Sequence, residues 1–128
     1  MKKKLKYLIP FVVFLLISIL FRVVFLIGFV PSESMEPTLM AGSFFVASRF
    51  FYEIRVSEII VFRHEGKLLV KRVAAIGGDE HVLNGEHLIV PDGKLIVLGD
   101  NSENSYDSRY WEYPFIDERD VVAKVIGK

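Results

Sequence analysis

The chain has 128 residues, 52% of them hydrophobic, with 16 Lys and Arg set against 16 Asp and Glu. That length holds one small domain, and zero formal net charge gives no electrostatic case for a nucleic-acid partner. The absence of cysteine excludes disulfides, thiol catalysis and thiolate-bound zinc.

The first element reads as a membrane span. Lys2, Lys3, Lys4 and Lys6 precede an almost wholly apolar run over residues 7–30. As a helix, about 23 residues cover about 35 Å, enough to cross a bilayer core with some tilt. The lysines belong on the cytoplasmic side. Residues 1–6 are therefore expected as a basic cytoplasmic N-terminus, 7–30 as a single transmembrane anchor helix and 31–128 as a domain on the trans side. Pro10 is expected in the first helical turn, where proline costs little. Arg22 is the one charge inside the run; it snorkels outward, or the span is shorter than the run. A cleaved secretory signal needs an apolar core of about 7–15 residues followed by small residues at a cleavage site. This run is longer and no Ala-x-Ala follows it. Pro31 disfavours helix at Val30 and releases the chain into a loop.

Beyond the anchor the signals are strands and turns. Residues 44–47, 58–62 and 68–73 are short runs rich in β-branched and aromatic side chains. Asn84-Gly85 between Val82-Leu83 and residues 87–90 is a hairpin signal. Pro91-Asp92-Gly93 marks a turn into a strand over 94–98, and 121–126 reads as the last strand. The expected fold is mainly β: a compact antiparallel sheet or partly closed barrel behind one N-terminal helix.

Two features carry chemistry. Where the apolar run ends, the chain reads Pro31, Ser32, Glu33, Ser34, Met35, Glu36, Pro37, Thr38, Leu39. Further on, Lys71 lies in the hydrophobic strand Leu68-Leu69-Val70-Lys71-Arg72-Val73. Strand alternation puts Leu69, Lys71 and Val73 on one face and Leu68, Val70 and Arg72 on the other. A lysine between two apolar side chains is open to desolvation, which lowers its pKa from about 10.4. A desolvated lysine can serve as the base for a serine nucleophile. Read alone, Lys71 is also consistent with a snorkelling lysine and Pro-Ser-Glu-Ser with an ordinary loop. A Ser-His-Asp triad would draw on His64, His81 or His87, but no Gly-x-Ser-x-Gly elbow is present. His81, Glu86 and His87 fit no metal-ligand spacing. The stretch from Asp100 lacks the glycine and the glutamate of a calcium loop. Phe50-Phe51-Tyr52 reads as core or as a patch dipping into the membrane surface.

Three segments in order resemble the type I signal peptidases, the serine-lysine leader peptidases. They are Ser32-x-Ser34-Met35-x-Pro37-Thr38-Leu39, then Lys71-Arg72-Val73 with Gly78-Asp79, then Gly99-Asp100-Asn101 with Ser105-x-Asp107-Ser108-Arg109. The resemblance covers essentially the whole chain, through Val122-Ala123-Lys124. It implies Ser34 as nucleophile and Lys71 as general base. It implies Ser32 and the backbone N–H of Ser34 as oxyanion donors, Ser105 as the residue orienting the lysine amine, and Asp107 and Arg109 as a supporting ion pair. It also implies hydrolysis of exported preproteins after small residues, Ala-x-Ala fashion, through an acyl-enzyme and without a metal or organic cofactor. Val30, Met35, Leu39, Leu69 and Val70 are expected to line the substrate pocket. The implied location is the cytoplasmic (inner) membrane, with the lipid bilayer and preproteins as partners; nothing specifies an oligomeric state. Ala75 and Gly77, Ser57-Glu58, Ser102 and Glu112 depart from the family pattern, and none of them removes a reacting group. The chain is short for the family, so large accessory insertions are expected to be missing. A membrane-anchored β module without catalysis, or a member with few substrates such as pilins or conjugation proteins, is the alternative. A self-cleaving serine-lysine repressor fits less well, because it carries a DNA-binding module and no anchor.

Overall fold

The computed structural model describes residues 2–127; Met1 and Lys128, the outer ends of the expected segments 1–6 and 31–128, lie outside the described residues. Helix α1, Lys2–Val24, is 23 residues long and buries none of its side chains. Its most apolar stretch has a mean hydropathy of 2.5, so it is long and apolar enough to cross a membrane.

Two details of the expected anchor are corrected. The helix starts at Lys2, so Pro10 lies inside it rather than in its first turn; lysine is a good helix former and extends the helix backwards. The helix also stops at Val24 instead of Val30. Phe25–Phe29 forms β1, which pairs antiparallel with β2, Phe44–Ser48, from Phe25↔Ser48 to Phe29↔Phe44. Hydropathy does not separate these five residues from the helix, but their partner does. Gly28 permits the close approach: a Cβ there would lie 2.1 Å from the Phe45 ring.

The remaining strands are β3 (Ile59–His64), β4 (Lys67–Ile76), β5 (Glu80–Leu83), β6 (Glu86–Ile89), β7 (Lys94–Leu98), β8 (Ile116–Asp117) and β9 (Val121–Gly127). Of the nine strands among the described residues, seven form one antiparallel sheet in the order β1-β2-β9-β3-β4-β7-β8, and β5-β6 is a separate hairpin. The expected strands are all present, and the hairpin turns at Asn84 and Gly85, both with positive φ. The two-residue β8 was not expected.

The sheet has apolar packing on both faces, as alternation along β3 requires. Ile60 and Phe62 join Val73, Leu95, Val97, Trp111, Ile116 and Val121 in one cluster. Val61 joins Val30, Met35, Leu39, Phe45, Ala47 and Ala123 in another. A third, around Ala75, Leu83, Val90 and Ile96, seats the hairpin. Burying a side chain the size of Phe62 contributes about 1.5–3 kcal/mol. Met35 and Leu39 therefore fasten the loop after β1 to the sheet, and Ser34 is fastened with it.

Candidate active site

Four pieces of chain converge at the middle of β4. The Ser34 loop is a compact turn closed by Glu36 N to Glu33 O (3.1 Å) and Leu39 N to Met35 O (2.9 Å). Lys71 stands mid-strand opposite Ile60 of β3. On its other side β7 pairs Arg72 with Leu98, which brings Lys71 level with Gly99. The chain after Gly99 then folds back over the site through the 3₁₀ turn Ser102–Asn104.

Lys71 Nζ and Ser34 Oγ are 2.7 Å apart, within hydrogen-bond distance. Both residues are buried, at 5% and 7% exposure. Leu69 and Val73, the neighbours of Lys71 by alternation, pack on the first cluster while Val70 packs on the second. Burial pushes the lysine's pKa down; the negative charge of Asp107 pulls it back up and the positive charge of Arg109 lowers it again. No carboxylate hydrogen-bonds the amine among the described residues, so nothing locks it as an ammonium. Ser32 Oγ lies 3.3 Å from Ser34 Oγ.

Ser105 is buried beside this pair, but its bond differs from the expected one. Its hydroxyl donates to Asp107 Oδ2 at 2.6 Å, and no hydrogen bond joins it to Lys71. The hydroxyl has one hydrogen, and the Asp107 carboxylate two residues away, a charge-assisted acceptor, takes it. Asp107 is fully buried and accepts from Gly99 N (2.8 Å), Arg109 Nε (2.9 Å) and Arg109 Nη2 (2.5 Å). Burial alone would raise its pKa. The arginine and the other donors outweigh that and hold it below the ordinary carboxylate range. The ion pair expected for Asp107 and Arg109 is thus formed.

Sequence reasoning assigned no role to three residues that join the motifs. Asp100 takes Arg72 Nε at 2.8 Å, Arg72 Nη2 at 2.6 Å and the Thr38 hydroxyl at 2.6 Å. The Arg72 hydrogen bond is the main cause holding the Asp100 carboxyl below its usual pKa. Thr38 follows Ser34 in the first motif, Arg72 follows Lys71 and Asp100 is the second residue of the third. An arginine next to Lys71 and an aspartate of opposite charge in the third motif were the available signal. Asn101 adds a tie from its N–H to Ser34 O (2.9 Å) and from its side chain to Glu33 O (3.1 Å). Gly99 provides space: a Cβ there would meet Ser105 Oγ at 2.0 Å and Ser34 O at 2.6 Å.

Val30, Met35, Leu39, Leu69 and Val70 all line one mainly apolar cleft of about 250 Å³ that reaches Ser34 and Lys71 and is bordered by β1. His81 and His87 lie away from the site on the hairpin, where His87 Nδ1 is 3.0 Å from Glu80 Oε1.

The family model described as signal peptidase, peptidase S26, matches residues 4–89 and 80–127. The chain belongs to this family. Among curated signal peptidase relatives, "Probable signal peptidase I-2" of Synechocystis is 32% identical over 66% of this chain and 55% of its own length. "Probable signal peptidase I-1" of the same organism is 28% identical over 77% and 67%. A Staphylococcus aureus protein named "Inactive signal peptidase IA" is 24% identical over 98% of this chain and 91% of its own length. The chain therefore spans little more than half of the first of these signal peptidases, yet nearly all of the third.

Proposed function

We propose that this chain is a membrane-anchored serine endopeptidase that removes signal peptides from exported preproteins, with Ser34 as nucleophile and Lys71 as general base. The helix Lys2–Val24 anchors it in the cytoplasmic membrane, N-terminus inside, and residues 31–128 act on the trans side. One observation carries the reading: a buried amine 2.7 Å from a buried serine hydroxyl, with burial lowering the amine's pKa.

In the neutral state Lys71 Nζ accepts the Ser34 proton as Ser34 Oγ attacks the scissile carbonyl. Oxyanion donors are the Ser34 N–H and the Ser32 hydroxyl, each of a kind worth about 2.7–4 kcal/mol of barrier. The Lys71 ammonium then gives its proton to the departing nitrogen, leaving an ester on Ser34. Water, deprotonated by Lys71, attacks that ester, and the proton returns to Ser34 Oγ. Asp107, Arg109 and Ser105 support this as positioning residues rather than reacting groups. The substrate lies extended along the cleft beside the edge strand β1, where main-chain hydrogen bonds hold it without large side chains. Val30, Met35, Leu39, Leu69 and Val70 leave room only for small residues before the cut.

The alternative of a silent or narrow-substrate member is raised by the relative named inactive; against it stands a complete serine-lysine pair in contact. The test is cleavage of a labelled Ala-x-Ala preprotein by the full chain in detergent. Ser34→Ala and Lys71→Met are expected to abolish it while the fold is retained. Full activity in either variant would refute the mechanism.

A further inference from the structure

Two clefts, not one, meet at Ser34 and Lys71. Both are lined by Ser32, Ser34, Leu69 and Lys71. The first is the mainly apolar cleft bordered by β1, which continues from the anchor helix. The second, about 340 Å³, opens between His64, Glu65, Lys67, Asn104 and Tyr106. A peptide bond cut at Ser34 has an acyl side and an amine side, and an extended chain carries them away in opposite directions. The apolar cleft next to the anchor suits the signal peptide. The second includes no residue of β1 and brings in His64, Glu65, Lys67 and Asn104, which suits a chain destined for water.

We infer that this second cleft binds the first residues of the mature segment, with Tyr106 as their main contact. The inference rests on the Ser34–Lys71 reading above and adds the leaving side of the substrate. Tyr106 is 65% exposed between two buried residues, Ser105 and Asp107. Its ring is nonetheless braced. Tyr110 stacks on it with centroids 6.2 Å apart, and Trp111 meets it edge-on at 6.4 Å. Trp111 in turn stacks against His64 at 3.9 Å, and His64 lines the same cleft. A ring held in place and left open loses little conformational freedom when a ligand covers it. Asn104, beside it, reaches Glu33 Oε2 at 3.4 Å, so the cleft wall and the nucleophile loop are tied together.

The experiment uses the full chain in detergent and peptides that share one signal-peptide sequence but carry one, two, three or four residues beyond the cut. In the wild type kcat/KM is expected to rise about fivefold or more from one residue to three, the range of a stacked aromatic contact. Tyr106→Ala is expected to flatten that rise, and Tyr106→Phe to keep it. A flat series in the wild type would overturn the inference without any variant. So would an unchanged slope in Tyr106→Ala, or a loss equal at every length, which would make Tyr106 a mere support of the Ser105 loop. Cleavage that survives Ser34→Ala would sink the underlying mechanism instead. A flat series whose cleavage depends on Ser34 sinks only the mature-side assignment.

Discussion

Replacing Gly99 by alanine is expected to cripple the site while leaving the sheet standing. Gly99 does not have a positive φ, so its backbone tolerates a side chain and the obstacle is steric. A Cβ there would lie 2.6 Å from the Ser34 carbonyl, where ordinary contact begins at 3.4 Å; the Ser34 loop must retreat by roughly 0.8 Å. It would lie 2.0 Å from Ser105 Oγ and 2.5 Å from its Cβ, so Ser105 must yield further still. Neither neighbour is free to swing away. Ser34 O is held by Asn101 N–H, and Ser105 by Asp107, which also takes the Gly99 N–H. A misplacement near 1 Å costs on the order of 100-fold in rate, whereas overpacking one methyl costs about 1–3 kcal/mol of stability. The assay is single-turnover cleavage of a labelled preprotein alongside thermal unfolding. The double variant Gly99→Ala/Ser105→Gly removes the larger overlap and leaves the Ser34 one. It is expected to regain fold stability more than rate. A Gly99→Ala enzyme within about threefold of the wild-type rate would refute the idea that this gap positions the serine, since a 0.8 Å shift cannot be that cheap.

Rate as a function of pH should show an acid limb set by Lys71, rising as the amine loses its proton, and Asp107→Asn should move that limb to lower pH because the charge that raises the lysine's pKa is gone. The sign for stability follows from the same depressed pKa. Between the folded value and 10.5 the unfolded chain binds more protons, so Lys71's contribution to stability rises with pH across that window, measurable by chemical denaturation. Asp100→Asn is expected to lower stability by about 1–2 kcal/mol, because it weakens two charge-assisted bonds from Arg72, and to lower kcat as the motifs loosen; an unchanged kcat would make the cluster purely structural. Leu69→Trp should impair cleavage of Ala-x-Ala precursors by filling the cleft, and unchanged kinetics would reject that pocket assignment.

The strands were legible because they are short, β-branched and separated by Asn-Gly or Pro-Asp-Gly turns, all local signals. The extent of the helix was not. Phe25-Leu26-Ile27-Gly28-Phe29 is as apolar as a membrane span, and only pairing with β2 tells strand from helix there. β8 is two residues long and exists because β7 offers it an edge. The two side chains that meet at 2.7 Å, Ser34 and Lys71, could be named from motif residues, yet the partner of Ser105 could not. Where a hydroxyl's one hydrogen goes depends on which acceptor the loop brings nearer, and loop geometry leaves no trace in composition. The Thr38–Arg72–Asp100 cluster was hidden for a related reason: its members are 28 to 62 residues apart in sequence and meet only through the β4–β7 register.

That register explains why the three motifs behave as one unit. Lys71 and Ser34 come from a strand and a loop that share no continuous hydrogen-bond ladder, so neither element alone sets the 2.7 Å between them. The distance is set by a third element, the turn after β7. Its Gly99 lets the Ser34 carbonyl down against the backbone, its Asn101 N–H fixes that carbonyl, and its Asp100 clamps Thr38 and Arg72 together one residue along. Each clamp crosses from one motif to another, so a loss in any of them is felt at the serine. Ser57 and Glu58, where the chain departs from the family pattern, still serve this arrangement through their backbone. The Ser57 carbonyl accepts from Arg72 Nη1 at 2.7 Å, and Glu58 O accepts from Val73 N. Ser57 presents that carbonyl from a backbone with a φ of 78°, the left-handed region that favours glycine, and the Glu58 side chain adds bonds from Arg55 N–H and Lys124 Nζ.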